Sequence, residues 1–312
     1  MKYKNLGRSG LKVSELSFGS WMTFGSNLNS QAVKGCMQRA FELGVNFFDN
    51  AEVYAKGEAE VLMGEALKSF RREDLVISTK IFWGGNGPND TGLSWKHLVE
   101  GTRNSLRRLK TSYIDLLFCH RPDPSTPIEE TVRAMDYIIK SGYAFYWGTS
   151  EWGADQIQAA FDVAEKLNCI PPIAEQPQYN MLVRDRVEKS YLPLINRYGL
   201  GLTTWSPLAS GILSGKYNDG IPKGSRLEKN EWLRHELTPS NIARVKKLSE
   251  LASTLDCSIA QLAIAWCLRN PAVSTVITGA SNEAQIEENM KAIEVKDRIT
   301  DSVNRDIEKI LS

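Results

Sequence analysis

Four side chains able to move or steer a proton fall within the first 120 residues: Asp49, Tyr54, Lys80 and His120. Asp49 closes the run Val45-Asn46-Phe47-Phe48, and Tyr54 lies five residues beyond it. Lys80 closes Leu75-Val76-Ile77-Ser78-Thr79, and His120 closes Ile114-Asp115-Leu116-Leu117-Phe118-Cys119. An acid, a phenol, an ammonium and an imidazole together make a proton-transfer site. A free phenol titrates near ~10 and donates poorly at neutral pH. An ammonium ~4 Å away contributes ~4 kcal/mol at an effective dielectric of ~20, lowering the phenol's pKa by about two or three at most. Lys80 is the candidate cation, and Asp49 would hold it charged. A neutral His120 would donate to a carbonyl oxygen and orient it.

Each residue also has a plainer reading. An Asp after a strand is often a helix cap or turn residue, and a loop Tyr is commonly a rim residue. Lys80 would be a surface charge, and His120, before Arg121-Pro122-Asp123-Pro124, would orient a turn. Singly the plainer readings win. Jointly they lose, because three strand ends would each need an unrelated reason.

The elements that must hold these residues read as alternating strands and helices. The chain opens with a predicted hairpin, 2–6 and 11–13, around Gly7-Arg8-Ser9-Gly10. Eight apolar runs then end near Phe18, Phe48, Ser78, Phe118, Trp147, Glu175, Thr204 and Thr278. All but the last interval keep the ~30-residue spacing of a βαβ unit. Helical patterns are predicted over 31–43, 95–109, 128–140, 155–167 and 185–198, with Gly44, Gly142 and Gly199 at cap positions. A Gly/Pro-punctuated loop covers 206–239, followed by one or two helices and by terminal helices over 282–292 and 300–311. Alternation of this kind gives a parallel sheet, and parallel strand ends gather chemistry on one face. An open doubly wound sheet usually shows Gly-x-Gly-x-x-Gly after its first strand. Here Gly19-Ser20-Trp21-Met22-Thr23 stands instead, and the strand count favours a closed barrel. Gly211-Ile212-Leu213-Ser214-Gly215-Lys216-Tyr217 is one residue short of a phosphate loop and ends in Tyr, which excludes a triphosphatase. The expected fold is a single α/β domain over 1–312: a (β/α)8 TIM barrel with an N-terminal β-hairpin and extra C-terminal helices.

Net charge is +1, from 38 basic and 37 acidic residues, so nothing calls for nucleic acid. No apolar stretch approaches the ~20 residues of a membrane span, and no direct membrane insertion is expected. The polar start, Met1-Lys2-Tyr3-Lys4-Asn5, is unlike a signal peptide. Five widely spaced cysteines fit a reducing, cytoplasmic setting better than a disulfide framework or a metal site, and no metal is expected.

Three segments resemble the aldo-keto reductases: Asn46-Phe47-Phe48-Asp49-Asn50-Ala51-Glu52-Val53-Tyr54, Ser78-Thr79-Lys80, and Ile114 to Arg121. The resemblance runs over essentially the whole chain. Its detail is closest to the subgroup holding the voltage-gated potassium-channel β-subunits and their plant and microbial relatives. Ser20-Trp21-Met22-Thr23-Phe24-Gly25, Trp147-Gly148-Thr149-Ser150-Glu151-Trp152, Glu175-Gln176-Pro177 and Trp205-Ser206-Pro207-Leu208 carry that closer match. The resemblance implies a barrel that binds a nicotinamide cofactor without a Rossmann domain. It makes Tyr54 the general acid, Lys80 and Asp49 its tuning pair, and His120 the orienter of the carbonyl. Hydride then passes to the carbonyl carbon while Tyr54 protonates the oxygen.

The same resemblance implies that Ser150 and Gln176 hold the nicotinamide carboxamide, that Trp205 stacks on its ring, and that Asp49 belongs to the cofactor-binding set. Ser20, Trp21, Ser206, Pro207, Leu208 and Ser210 join the cofactor set. Gly211, Leu213, Gly215, Lys216, Ser225 and Arg226 lie in the long loop that would fold over the pyrophosphate. Gly279, Ser281, Gln285, Glu288 and Asn289 match positions at the adenosine end, where a helix N-terminus also favours an anion. Ser281-Asn282 with Gln285 reads equally as a helix cap. Gly279 is not the Lys of the wider family, and Gln285 stands where many relatives carry Arg. The subgroup shares this pattern and uses NADP, so NADPH is preferred over NADH. Glu151 departs from the family's Asn and takes no role. Trp21, Trp83 and Trp152 are candidate pocket walls beside Tyr54 and His120, suited to apolar or aromatic carbonyl compounds.

NADPH-dependent reduction of aldehydes or ketones is therefore the leading expectation. The alternative is a redox-sensing regulatory β-subunit of a potassium channel with slow or vestigial turnover; a third is net alcohol oxidation. Mammalian channel subunits carry Asn at the position of His120, so the histidine favours turnover. The barrel is expected to begin almost at Met1, leaving no tail to plug a pore. The resemblance also implies a homo-oligomer, a tetramer or larger. A channel partner is compatible with the subgroup, but no residue here supports one.

Overall fold

Eight parallel strands close into a barrel in chain order. The structure is a computed structural model that describes residues 1–25 and 28–312. An antiparallel hairpin, β1 (Tyr3–Asn5) and β2 (Lys12–Ser14), comes first. The barrel is β3 (Leu16–Gly19), β4 (Phe47–Asp49), β5 (Val76–Ile81), β6 (Ile114–Cys119), β7 (Ala144–Ser150), β8 (Ala174–Gln176), β9 (Gly201–Thr204) and β10 (Val273–Thr278). β10 pairs with β3 and seals the ring. The eight ends match the apolar runs of the sequence to within three residues.

Strand period 2 sorts the side chains. Phe47, Val76, Leu116, Phe118, Ala174 and Ile277 form one cluster inside the barrel, while Phe48, Ile77, Leu117 and Trp147 join a second, larger cluster beneath the helices. Continuing the inner alternation toward the strand ends gives 47 to 49, 76 to 80, 116 to 120 and 174 to 176. Asp49, Lys80, His120 and Gln176 are thereby all turned inward on one face. Leu6 and Val13 of the hairpin belong to the inner cluster. Lys4 Nζ donates to Val273 O at 3.1 Å and Arg8 N to Gly199 O at 2.8 Å, at the starts of β10 and β9. The hairpin thus plugs the end opposite the candidate residues.

The helices are α1 (Ser30–Glu42), α2 (Glu58–Leu67), α3 (Trp95–Leu109), α4 (Ile128–Lys140), α5 (Ala154–Leu167), α6 (Leu192–Tyr198), α7 (Arg226–Lys229), α8 (Pro239–Thr254), α9 (Ile259–Arg269), α10 (Glu283–Met290), α11 (Ala292–Lys296) and α12 (Asp301–Leu311). Asn29, Ser94 and Ser258 cap α1, α3 and α9 by accepting from the N3 backbone N–H. Two expectations need correction. The helix predicted over 185–198 is broken into a π-turn, Arg186–Ser190, and α6, because Pro193 has no N–H to continue the ladder. The helix predicted over 282–292 is α10, which stops at Met290, and a further short helix, α11, follows from Ala292. Among the described residues no single helix is long and apolar enough to cross a membrane; α8 and α9 together meet that length but bend by 89°.

Candidate active site

The charged core of the site comes from three neighbouring strands. Lys80 Nζ donates to Asp49 Oδ2 at 2.6 Å, to Asn50 O at 2.6 Å and to Tyr54 Oη at 3.2 Å. An ammonium has three protons, so Lys80 is fully used. Asp49 Oδ1 accepts from Ser78 Oγ at 2.7 Å and Gln176 Nε2 at 3.0 Å. Lys80 and Asp49 are buried, which a charge tolerates only when paired and hydrogen-bonded. Tyr54 is half-buried, in a turn where Ala55 and Lys56 take left-handed backbone. Its hydroxyl already accepts from Lys80, which leaves its own proton to donate outward.

His120 lies edge-on to Tyr54, with ring centroids 5.8 Å apart, and to Trp83, at 5.2 Å. Its Nδ1 is buried with no hydrogen-bond partner among the described residues. Burial, then Lys80 and Arg121, push the imidazole well below its usual range, so it is neutral at physiological pH. Burial also works against the Lys80 ammonium, but Asp49 and Tyr54 outweigh it and hold the lysine above its ordinary value. Tyr54 departs from the sequence expectation. Burial pushes its phenol up; Lys80 pulls it back only in part, and Asp49 adds to the rise. The expected lowering counted the lysine and left out desolvation and the opposing carboxylate.

Around this core, Ser20 Oγ donates to Asp49 O at 3.1 Å and Ser150 Oγ to Gln176 O at 3.0 Å. Trp205 meets Trp21 edge-on at 5.6 Å. Trp205 Nε1 donates to Glu151 Oε1 at 2.9 Å, and Gln178 N donates to the same oxygen at 2.5 Å. Arg186 Nη1 holds Glu151 Oε2 at 2.5 Å. Glu151 therefore fixes the indole, a role its sequence position did not announce. Ser78, two residues before Lys80 and on the same inward face, was also missed; alternation alone points to it. Trp83 is 38% exposed and stands beside His120 as a wall, whereas Trp152 is 2% exposed and packs against the core.

The segment after β9 is conformationally unusual. Ser206, Ala209 and Ser210 have φ of 56°, 47° and 58°, and such strain concentrates at ligand sites. Ser210 N donates to Ser206 Oγ at 3.1 Å, and Gly211 N to Leu208 O at 2.8 Å. Lys216 Nζ lies 5.1 Å from the Tyr217 ring, and the Arg226 guanidinium 5.9 Å from the Trp21 ring. Arg226 has no carboxylate partner among the described residues, and the neighbouring Ser225 Oγ is buried without a partner. A cation and a hydroxyl left unmatched together fit an anionic group such as a dinucleotide's phosphates. One strand over, past β10, Gln285 Oε1 accepts from Ser281 N at 2.8 Å while Asn282 caps α10. Asn289 Nδ2 donates to Gly279 O at 3.3 Å, and Glu288 Oε1 accepts from Gln261 Nε2 at 2.9 Å. Gly279, Ser281, Gln285, Glu288 and Asn289 form a separate patch beside the end of β3, with no direct bond to the Tyr54 cluster among the described residues.

Comparison with known proteins agrees with this geometry. Residues 15–312 match the profile of the aldo/keto reductase family. The chain is 56% identical over 317 residues to a "probable voltage-gated potassium channel subunit beta" of Arabidopsis thaliana, covering 100% of this chain and 97% of the relative. A protein of the same description from Oryza sativa subsp. japonica is 55% identical over 317 residues, with the same coverage. A "putative voltage-gated potassium channel subunit beta" of Schizosaccharomyces pombe is 49% identical over 320 residues, covering 99% of this chain and 93% of the relative. That family is one of oxidoreductases that use a nicotinamide cofactor, NAD(P)H. A profile match from β3 to the last residue, on a closed barrel, leaves one conclusion: this chain belongs to the aldo/keto reductase family.

Proposed function

We propose that this protein reduces aldehydes or ketones to alcohols with NADPH, with Tyr54 as the general acid. The observation that carries the reading is the Asp49–Lys80–Tyr54 chain, in which the lysine's three donors are spent and the phenol's proton is not. The cofactor, when bound, supplies hydride to the carbonyl carbon. His120, neutral and with an unpartnered buried nitrogen, orients the carbonyl oxygen. Tyr54 gives its proton to that oxygen as charge develops on it. An alkoxide is far more basic than a phenolate, so a phenol raised by burial still transfers its proton downhill. Lys80 then stabilises the phenolate until solvent returns the proton. Ser150 and Gln176 hold the carboxamide end, Trp205 gives the ring a flat support, and Lys216, Arg226 and the 279–289 patch receive the phosphates and adenosine.

The test follows cofactor absorbance with purified protein, NADPH and NADH over a panel of carbonyl compounds. Tyr54→Phe is expected to keep cofactor affinity and lose about 10²- to 10⁴-fold in turnover of an activated aromatic aldehyde. Turnover close to that of the unmodified protein would remove Tyr54 from the role.

The names of the relatives favour a second reading, a channel-associated subunit whose cofactor reports redox state. It predicts tight NADPH binding with negligible turnover across the same panel.

A further inference from the structure

The carboxylates around His120 and Ser150 are each held by donors other than Arg121. Asp49 is held by Lys80. Glu151 is held by Arg186. Glu52 accepts from Phe82 N at 2.7 Å and pairs with His97 Nε2 at 3.0 Å. Asp123, the acid nearest Arg121 in sequence, is turned into its own loop, accepting from Leu93 N at 2.8 Å, Ser125 Oγ at 2.5 Å and Thr126 Oγ1 at 2.7 Å. Arg121 is left with no carboxylate among the described residues. Its Nη1 donates to His120 O at 2.5 Å and more weakly to Ser150 Oγ at 3.4 Å. Its guanidinium carbon lies 5.6 Å from the centre of the Trp83 ring. A guanidinium carries five N–H donors in a planar fork, and those on Nε and Nη2 have no protein acceptor among the described residues.

We infer that Arg121 anchors a carboxylate on the substrate, so that this site acts on carbonyl compounds bearing a carboxylate a short distance from the reacting carbon. The inference rests on the reductase reading above and adds the substrate class to it. Three observations support it. Arg121 joins the backbone of His120, the residue proposed to orient the carbonyl, so an anion on its free edge lies beside the reacting oxygen. Trp83 forms a flat wall next to both, suited to the body of the substrate. Beside His120 and Trp83 stands one uncompensated cation, which matches a monoanion; Lys216 and Arg226 lie instead at Tyr217 and Trp21. The charge of Arg121 also reaches both Tyr54 and His120, after burial and Lys80. A bound carboxylate would offset it and leave the phenol's proton more firmly held until hydride arrives. The plainer role for Arg121 is a brace for Ser150, and the test separates the two.

With NADPH, kcat/KM is measured for 4-carboxybenzaldehyde and for its methyl ester, methyl 4-formylbenzoate, which has the same ring and aldehyde without the charge. The unmodified protein is expected to favour the acid by about tenfold or more, as a charge-assisted contact would give. Arg121→Met should lower that acid-to-ester ratio by about tenfold, mainly through KM for the acid, and Arg121→Lys should recover part of it. A ratio near one in the unmodified protein overturns the inference. So does an Arg121→Met protein that loses both aldehydes equally while its NADPH affinity falls, which is the signature of a Ser150 brace. If neither aldehyde turns over, the reductase reading has failed on its own. Binding of benzoate against benzamide to the NADPH-loaded protein, followed by tryptophan fluorescence, then decides the anchor: benzoate must bind more tightly, and only while Arg121 is present.

Discussion

Glu151 holds the Trp205 indole with one carboxylate oxygen and Arg186 with the other, from a backbone φ of 59°. If Trp205 supports the nicotinamide ring, loosening the indole weakens the cofactor. Glu151→Ala is expected to raise the Kd for NADPH about tenfold, as loss of a charged hydrogen bond would, while Glu151→Gln, which still accepts, loses less. Cofactor fluorescence titration measures both. Asp49, Lys80 and His120 were legible in the sequence because each closes an apolar strand run, and strand ends of a parallel barrel share one face. Glu151 was not legible. Its role depends on a left-handed turn and on partners at 178, 186 and 205, none of which period or composition reveals. The raised phenol of Tyr54 was hidden for a related reason: a neighbouring charge can be guessed from sequence, but the degree of desolvation cannot.

At the scale of elements, the strand ends were readable to within three residues, and α3 and α4 to the residue. Helix α2 went unread because Gly57 stands at its N-cap and Gly64 interrupts its interior, so it lacks both a capping side chain and an unbroken helical pattern. The structure explains the glycine. A Cβ on Gly64 would lie 2.4 Å from Arg108 O, at the last turn of α3. Glycine lets two helices approach backbone to backbone beside the Tyr54 turn. Alanine in a helix interior normally gains ~0.5–1 kcal/mol over glycine. Gly64→Ala should do the reverse, costing about 1–3 kcal/mol through overpacking. Thermal or urea unfolding reads the sign directly, and a stabilised variant would refute the close contact.

The molecule as a whole carries a buried acid whose titration bears on the entire fold. Glu175 on β8 is fully buried, accepts from Thr149 Oγ1 at 2.5 Å, and lies 3.5 Å from Tyr191 Oη. Burial pushes its carboxyl up to about 8, with Thr149 opposing and Glu151 adding to the rise. The folded state therefore binds this proton more tightly than the unfolded chain, whose value is 4.5. The resulting stability is complete below the unfolded value and is lost as pH rises toward 8, by at most about 1.4 kcal/mol per pH unit. Glu175→Gln, neutral at every pH, should flatten that decline, so that its melting temperature overtakes the unmodified protein's above pH 8. Parallel curves for the two proteins would mean that the carboxyl titrates normally.

The hairpin stopper at the far end of the barrel has a kinetic consequence. A vessel with a single opening fills and empties in sequence. Whatever rests against Ser150 and Gln176 must enter before anything seated above it on Trp83 and Arg121, and must depart after it. If that first occupant is the cofactor, turnover is expected in compulsory order, cofactor first on and last off, because three residues of β1 and three of β2 close the opposite pole of the molecule.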